Sequence, residues 1–167
     1  LVAVDLDLSA ISGGTALPSV HEEILAPARR QGYRKIWLGG ISLGGQLALC
    51  HATDTPGSVD GLCLLAPYPG SRLTAKAIAD AGGLDNWQGT PEQLADAEFR
   101  MWRWLQRPPA DLPVFVGYGS DDRFAGGMAQ IAGRFPPAAH HTIPGGHEWP
   151  VWQQLWEHFL DLGHFSA

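Results

Sequence analysis

Apolar positions along the chain fall into short runs rich in aliphatic residues, separated by stretches with helical spacing. This alternation predicts an α/β protein with a mostly parallel sheet. Leu1-Val2-Ala3-Val4-Asp5-Leu6 is the first such run and predicts a buried parallel strand. Ser9 to Leu17 is small and polar and reads as a loop. From Pro18 a helix is predicted, with Glu22 and Glu23 early, Val20, Ile24 and Ala28 on one face, and Gly32 as its stop. It leads into Ile36 to Leu38, so strand, helix and strand form a unit whose connection should be a right-handed crossover.

Further on, Gly61-Leu62-Cys63-Leu64-Leu65-Ala66 and Leu112-Pro113-Val114-Phe115-Val116-Gly117 predict buried strands, and Ala139-His140-His141-Thr142-Ile143 a weaker last one. Between the first two of these, residues from about 70 to 109 carry no strand pattern. They contain a helix over Thr74 to Ala81 and a longer one opened by Thr90-Pro91-Glu92-Gln93, a capping box with proline at the first helical position. The longer helix bears Leu94, Phe99, Met101, Trp102, Trp104 and Leu105, too apolar for one narrow stripe. Its aromatics either pack against the sheet or a partner, or form a lid over an apolar pocket. A helix is also predicted over Gly126 to Phe135, and Trp152, Leu155, Trp156, Phe159 and Leu160 form one face of a terminal helix that packs on the sheet.

One junction stands out. The Ile36 strand pattern passes through Gly39-Gly40-Ile41-Ser42-Leu43-Gly44-Gly45 into the apolar helical pattern Gln46-Leu47-Ala48-Leu49. Gly40-x-Ser42-x-Gly44 is the arrangement in which a serine sits on a sharp strand-to-helix turn with its hydroxyl exposed. A strained backbone there leaves little room for Cβ atoms on either flank, hence the glycines. The helix start adds free N–H groups and a positive dipole end, both suited to an oxygen that gains negative charge. A phosphate-binding turn or a purely structural turn would also use glycine. Against a dinucleotide fingerprint, Ser42 occupies the place of the middle glycine, and the lysine of a P-loop is missing.

Composition narrows the function classes. The chain has 167 residues, 45 % of them hydrophobic and 17 % charged, with a net charge of −6. This describes a single globular domain. An acidic balance without a basic stretch argues against nucleic acid or anionic membranes as partners. No apolar segment is long enough to span a bilayer, and no signal peptide is visible. The two cysteines, Cys50 and Cys63, read as buried free thiols in a reducing, cytoplasmic compartment, with a buried disulfide as the alternative. His140 and His141 are adjacent in a strand and must point to opposite faces, so they cannot grip one metal together. His21, His51, His158 and His164 read as surface or helix-end residues, and neither a metal nor a cofactor is expected.

Gly119-Ser120-Asp121-Asp122-Arg123-Phe124 lies just past the carboxyl end of a predicted buried strand, where open α/β sheets place functional groups. Aspartates in such turns also cap the following helix. Pro144-Gly145-Gly146-His147-Glu148-Trp149 then supplies a histidine on a glycine-hinged loop. The order Ser42, Asp121 or Asp122, His147 matches the Ser, Asp/Glu, His order of the α/β hydrolases. On these motifs the chain resembles small bacterial serine hydrolases of that fold, over nearly its whole length apart from the insertion. The resemblance implies a three-layer sandwich with a short helical insertion in one domain, and a triad of Ser42 as nucleophile, His147 as base and Asp122 as acid. Asp122 is favoured because the family pattern puts the acid three residues after a glycine, here Gly119; Asp121 is the alternative, expected to face solvent or the next helix. The N–H of Leu43 would be one oxyanion-hole donor.

The implied substrate is a small acyl ester or thioester. The other readings are a peptidase or acyltransferase with the same triad, or a non-catalytic binding protein of the same fold. In the family, a strand and loop beside the nucleophile strand supply the second oxyanion donor, and no such stretch precedes Leu1. The expectation is a nucleophile strand placed centrally, with a gap between it and the Leu1 strand. A further N-terminal segment would fill that gap, and the 167-residue chain alone would be poorly stable and nearly inactive.

Overall fold

Strand formation is governed by which apolar runs find a hydrogen-bonding neighbour, and the chain satisfies four of them side by side. The computed structural model describes residues 1–165. Two short helices, α1 (Leu8–Ser12) and α2 (Ala16–Val20), come first, followed by a π-helical turn over His21–Leu25 and α3 (Ala26–Arg30). The core then runs through β1 (Trp37–Ile41), α4 (Leu43–Asp54), β2 (Gly61–Leu65), α5 (Arg72–Asp80), α6 (Pro91–Leu94) and α7 (Ala97–Leu105). It ends with β3 (Val114–Gly119), α8 (Ala125–Ala132), β4 (His140–Ile143) and α9 (Trp149–Asp161).

The sheet has four strands in the order β1-β2-β3-β4, all parallel, with Trp37 opposite Gly61, Leu62 opposite Val114 and Val116 opposite His140. Side chains alternate between its faces as a pleat requires. Leu62, Leu64, Val114 and Val116 join Leu49, Met101, Trp102, Leu105 and Ile131 in the larger core, whereas Cys63, Leu65 and Phe115 face Val151, Leu155 and Phe159 of α9. Helices therefore cover both faces, which makes the three-layer sandwich. Burial pushes the thiols of Cys50 and Cys63 up to about 12.

Several elements differ from the sequence reading. Residues 1–6 are not a strand; Leu1, Val2 and Val4 are exposed, and the run has no ladder. An apolar run becomes a strand only against an edge, and the Asp7 side chain instead accepts the Ser9 N–H at 2.7 Å and turns the chain into α1, where a loop is predicted. The helix predicted from Pro18 starts at Ala16 and widens into a π turn in front of Pro27, which has no N–H to offer. The capping box at Thr90 forms, with the Thr90 N–H and Gln93 Oε1 3.0 Å apart and the Gln93 N–H and Thr90 Oγ1 3.2 Å apart. The helix it opens stops after one turn, because Asp96 caps a new one by accepting the Glu98 N–H at 2.7 Å. Along α9 the buried face is Val151, Leu155 and Phe159, and Leu160 is exposed.

The strand that leads into Ser42, β1, is not central among the four. Among the described residues β1 pairs only with β2, so it forms one edge of the sheet, and residues 1–6 supply no strand on its other side. Its far side is open, with Gly39 exposed. His51 lies in the last turn of α4, as the helix-end reading has it, but is buried: it is 2 % exposed, its Nε2 lies 2.9 Å from Ser58 Oγ, and burial, with His21 alongside, lowers its pKa. His140 and His141 do point apart, His140 toward the Phe135 carbonyl and His141 stacked on His158 at 3.7 Å, where burial and then His158 lower its pKa.

Candidate active site

Backbone geometry builds the site before any side chain does. Ser42 lies between β1 and α4 with φ 53° and ψ −115°, a left-handed conformation that a residue with a Cβ rarely adopts. Its own carbonyl accepts three N–H groups, from Gly45 at 3.0 Å, Gln46 at 3.2 Å and Tyr68 at 2.9 Å, and its N–H donates to Leu65 at 2.9 Å. These bonds over-determine the bend and hold the strain. The glycine requirement is uneven. A Cβ on Gly40 would stand 2.2 Å from the Gly44 carbonyl carbon, and one on Gly45 3.0 Å from Pro67, but one on Gly44 would meet nothing within 4 Å. The steric demand therefore sits at Gly40, which the Gly44 backbone approaches, and room for a Cβ remains at 44. Gly40→Ala is expected to lower stability by about 3 kcal/mol, read from the urea midpoint, while Gly44→Ala leaves it nearly unchanged.

The acid and the histidine come from the ends of the neighbouring parallel strands. Asp122 follows β3 and is 5 % exposed. Its Oδ1 accepts the Phe124 N–H at 2.9 Å, and its Oδ2 lies 2.6 Å from His147 Nδ1. Oδ1 thus closes a turn on Phe124 and does not cap α8, whose N-cap is Phe124 itself and carries no side-chain bond, while Oδ2 faces the histidine. On the other side of the ring, His147 Nε2 lies 2.9 Å from Ser42 Oγ. Of the two expected places for Asp121, solvent or the next helix, it takes the first and is exposed. Its Oδ2 accepts the Gly145 N–H at 3.0 Å and its N–H donates to the Gly145 carbonyl at 2.9 Å, which pins the histidine loop to the end of β3. Gly119 makes this approach feasible, since a Cβ there would lie 2.2 Å from the Gly145 oxygen.

Leu43 is the first residue of α4, so its N–H is among those at the helix start with no acceptor further back in the helix. It sits beside Ser42, with the positive end of the α4 dipole behind it. Among the described residues no group of three or more His, Cys, Asp or Glu side chains converges as a metal cage would. Two concavities of about 480 and 540 Å³ lie elsewhere, one lined by Leu73, Trp87 and Gln93 and the other by Pro56, Trp104 and Leu112. Neither touches Ser42, Asp122 or His147, so side-chain geometry rather than concavity marks the site.

Sequence reasoning missed the aromatic surroundings. Phe124 stands edge-on to His147 at 5.7 Å and to Tyr68 at 5.3 Å, and Trp152 also stands edge-on to the imidazole, at 5.0 Å. One tryptophan assigned to sheet packing therefore packs on the histidine. Its position one turn into the helix that follows His147 was a usable signal. For Tyr68, in the Pro67-Tyr68-Pro69 turn after β2, no sequence signal existed.

No family model matches the chain, and no curated protein matches it in sequence. Solved structures do resemble it. A ferulic acid esterase superposes with a TM-score of 0.58 at 13 % identity, over 87 % of this chain and 60 % of that one. An α/β hydrolase enzyme from a sediment metagenome of the Mar Chica lagoon, Morocco, gives 0.55 at 18 % identity, over 89 % and 71 %. A monoacylglycerol lipase of Paleococcus ferrophilus gives 0.52 at 16 %, over 86 % and 73 %. The chain thus spans 60 % of the length of the esterase it resembles. Its fold is that of the α/β hydrolases, with four parallel strands of the sheet present and helices on both faces.

Proposed function

We propose that the chain carries the nucleophile, base and acid of a serine hydrolase that cleaves small-molecule carboxylic esters or thioesters through an acyl-enzyme. The observation that carries this reading is the continuous line of contacts from Ser42 Oγ to His147 Nε2 at 2.9 Å and from His147 Nδ1 to Asp122 Oδ2 at 2.6 Å. A serine hydroxyl is a weak nucleophile at neutral pH and needs a base within hydrogen-bond reach. His147 takes the Ser42 proton as Oγ attacks the acyl carbon, and returns it to the leaving alcohol or thiol. Water then repeats the sequence on the acyl-enzyme and frees the acid. Asp122 holds the imidazole with its proton on Nδ1 and stabilises the imidazolium. The Leu43 N–H faces the negative charge that develops on the acyl oxygen.

Ester chemistry is further supported by the names of the resembling structures, among them an esterase and a lipase. The rings of Phe124 and Trp152 beside His147 favour an uncharged or apolar acyl or alcohol group. A fluorophosphonate probe tests the reading, because only an activated serine reacts with it. The natural polypeptide should take up one phosphonyl group, mapped by mass spectrometry to the peptide carrying Ser42. No uptake, or uptake that persists in Ser42→Ala, would end this reading.

A further inference from the structure

Glu98, in the first turn of α7, lies outside the triad yet gathers polar groups around the elbow. Its Oε1 accepts the Ser71 N–H at 2.7 Å and the hydroxyl of Thr74, and its Oε2 accepts the Gln46 side-chain N–H at 3.2 Å. Thr74 and Gln46 are both buried. Among the described residues no Lys, Arg or His nitrogen makes a salt bridge with this carboxylate. Its two oxygens meet donors from α4 and from the Ser71–Thr74 segment, so one side chain of α7 cross-links three segments.

Each of those segments leads back to Ser42. Gln46 is one helical turn beyond it, and the Gln46 backbone N–H is on the Ser42 carbonyl at 3.2 Å. Ser71 ends the loop that begins at Pro67, and within that loop the Tyr68 N–H donates to the same carbonyl at 2.9 Å. The loop is shaped to meet Glu98. Gly70 has φ +110°, and a Cβ there would stand 2.6 Å from the Glu98 carboxyl carbon. Trp102, also on α7, donates its indole N–H to the Pro69 carbonyl at 2.8 Å. The Tyr68 ring then packs on Phe124, which packs on His147. A single side chain from the insertion thus bonds the Gln46 side chain and the end of the loop that carries Tyr68, two residues whose backbone N–H groups are on the Ser42 carbonyl.

We infer that Glu98 is a positioning residue for Ser42: it clamps the Tyr68–Ser71 loop and Gln46 together so that the strained serine keeps its hydroxyl aimed at His147. The inference rests on the serine hydrolase reading above. Its requirement is for an acceptor of this shape, not for charge. Misplacing a reacting atom by about 1 Å can cost roughly 10²-fold in rate, which sets the expected size.

The test is fluorophosphonate labelling of the natural polypeptide, resolved into the saturating rate constant and the half-saturating concentration. Glu98→Ala should lower the saturating rate by about 10²-fold with little change in half-saturation, and Glu98→Gln, which keeps the acceptor oxygen, should restore most of it. A merely structural role would reduce the fraction of molecules labelled and the melting temperature, but not the rate of those that are labelled. If Glu98→Ala does not fold cooperatively, Thr74→Val and Gln46→Met decide, each removing one donor and each expected to slow the saturating rate. Wild-type rates in a folded Glu98→Ala, or in both of the milder variants when Glu98→Ala does not fold, would overturn the inference while leaving Ser42 as nucleophile. An unlabelled wild type would instead remove the hydrolase reading, and this inference with it.

Discussion

Ser42→Ala and His147→Ala are each expected to lower kcat for a short p-nitrophenyl ester by roughly 10⁴-fold or more, and the double variant by no more than either alone. The reason is the shared proton. With Ser42 Oγ and His147 Nε2 2.9 Å apart, removal of either partner abolishes the attack as a unit, and what remains is the contribution of binding and of the oxyanion donors. Alanine at 42 would occupy the same strained turn, which is held by backbone hydrogen bonds that do not involve the hydroxyl. The melting temperature of Ser42→Ala should therefore match that of the parent, and the loss can be assigned to chemistry. Full activity in Ser42→Ala would move the nucleophile elsewhere.

The two adjacent aspartates should separate sharply. Asp122→Asn is expected to lower kcat by roughly 10⁴-fold, measured on the same ester, because an amide facing His147 Nδ1 can donate to it. The imidazole then carries its proton on Nε2 and cannot accept one from Ser42. ¹⁵N chemical shifts of the His147 ring should report this change of tautomer directly. Asp121→Asn should do little, since the amide oxygen of asparagine can still accept the Gly145 N–H that Asp121 Oδ2 accepts at 3.0 Å. Asp121 is exposed and Asp122 almost fully buried, so the contrast also separates a loop anchor from a partner of the histidine. Equal losses in both variants would mean that the histidine loop, not the Asp122 contact, carries the effect.

The order of the β2, β3 and β4 segments, the strand-to-helix turn at Ser42 and the residues that meet there were legible in the sequence. Local rules decide them: apolar runs between turn residues make strands, and glycine on both sides of a serine at a strand end makes the bend. The choice of Asp122 over Asp121 came from the resemblance to a known family; in the structure Asp122 Oδ2 lies 2.6 Å from His147 Nδ1. The fate of Leu1 to Leu6 was not legible. Its apolar pattern is that of a strand, but a strand exists only through hydrogen bonds to a neighbour, and the capping by Asp7 is a local contact that competes without one. The split of the Thr90 helix at Asp96, likewise, turned on one cap within an otherwise helical pattern.

Position at the sheet edge, the stacking of Phe124 and Trp152 on His147, and the ties from Glu98 to Gln46 and Ser71 were decided by tertiary structure alone. Glu98 and Gln46 are 52 positions apart in the chain, and no periodicity links them. The sequence by itself determined the strand-to-helix turn at Ser42, because the close approach of the Gly44 backbone to Gly40 is a steric demand that lies within a few residues. Part of what holds that serine in its strained conformation was left to packing, because the Tyr68 N–H on its carbonyl and the Leu65 carbonyl that accepts its N–H reach it only once distant segments are folded against one another.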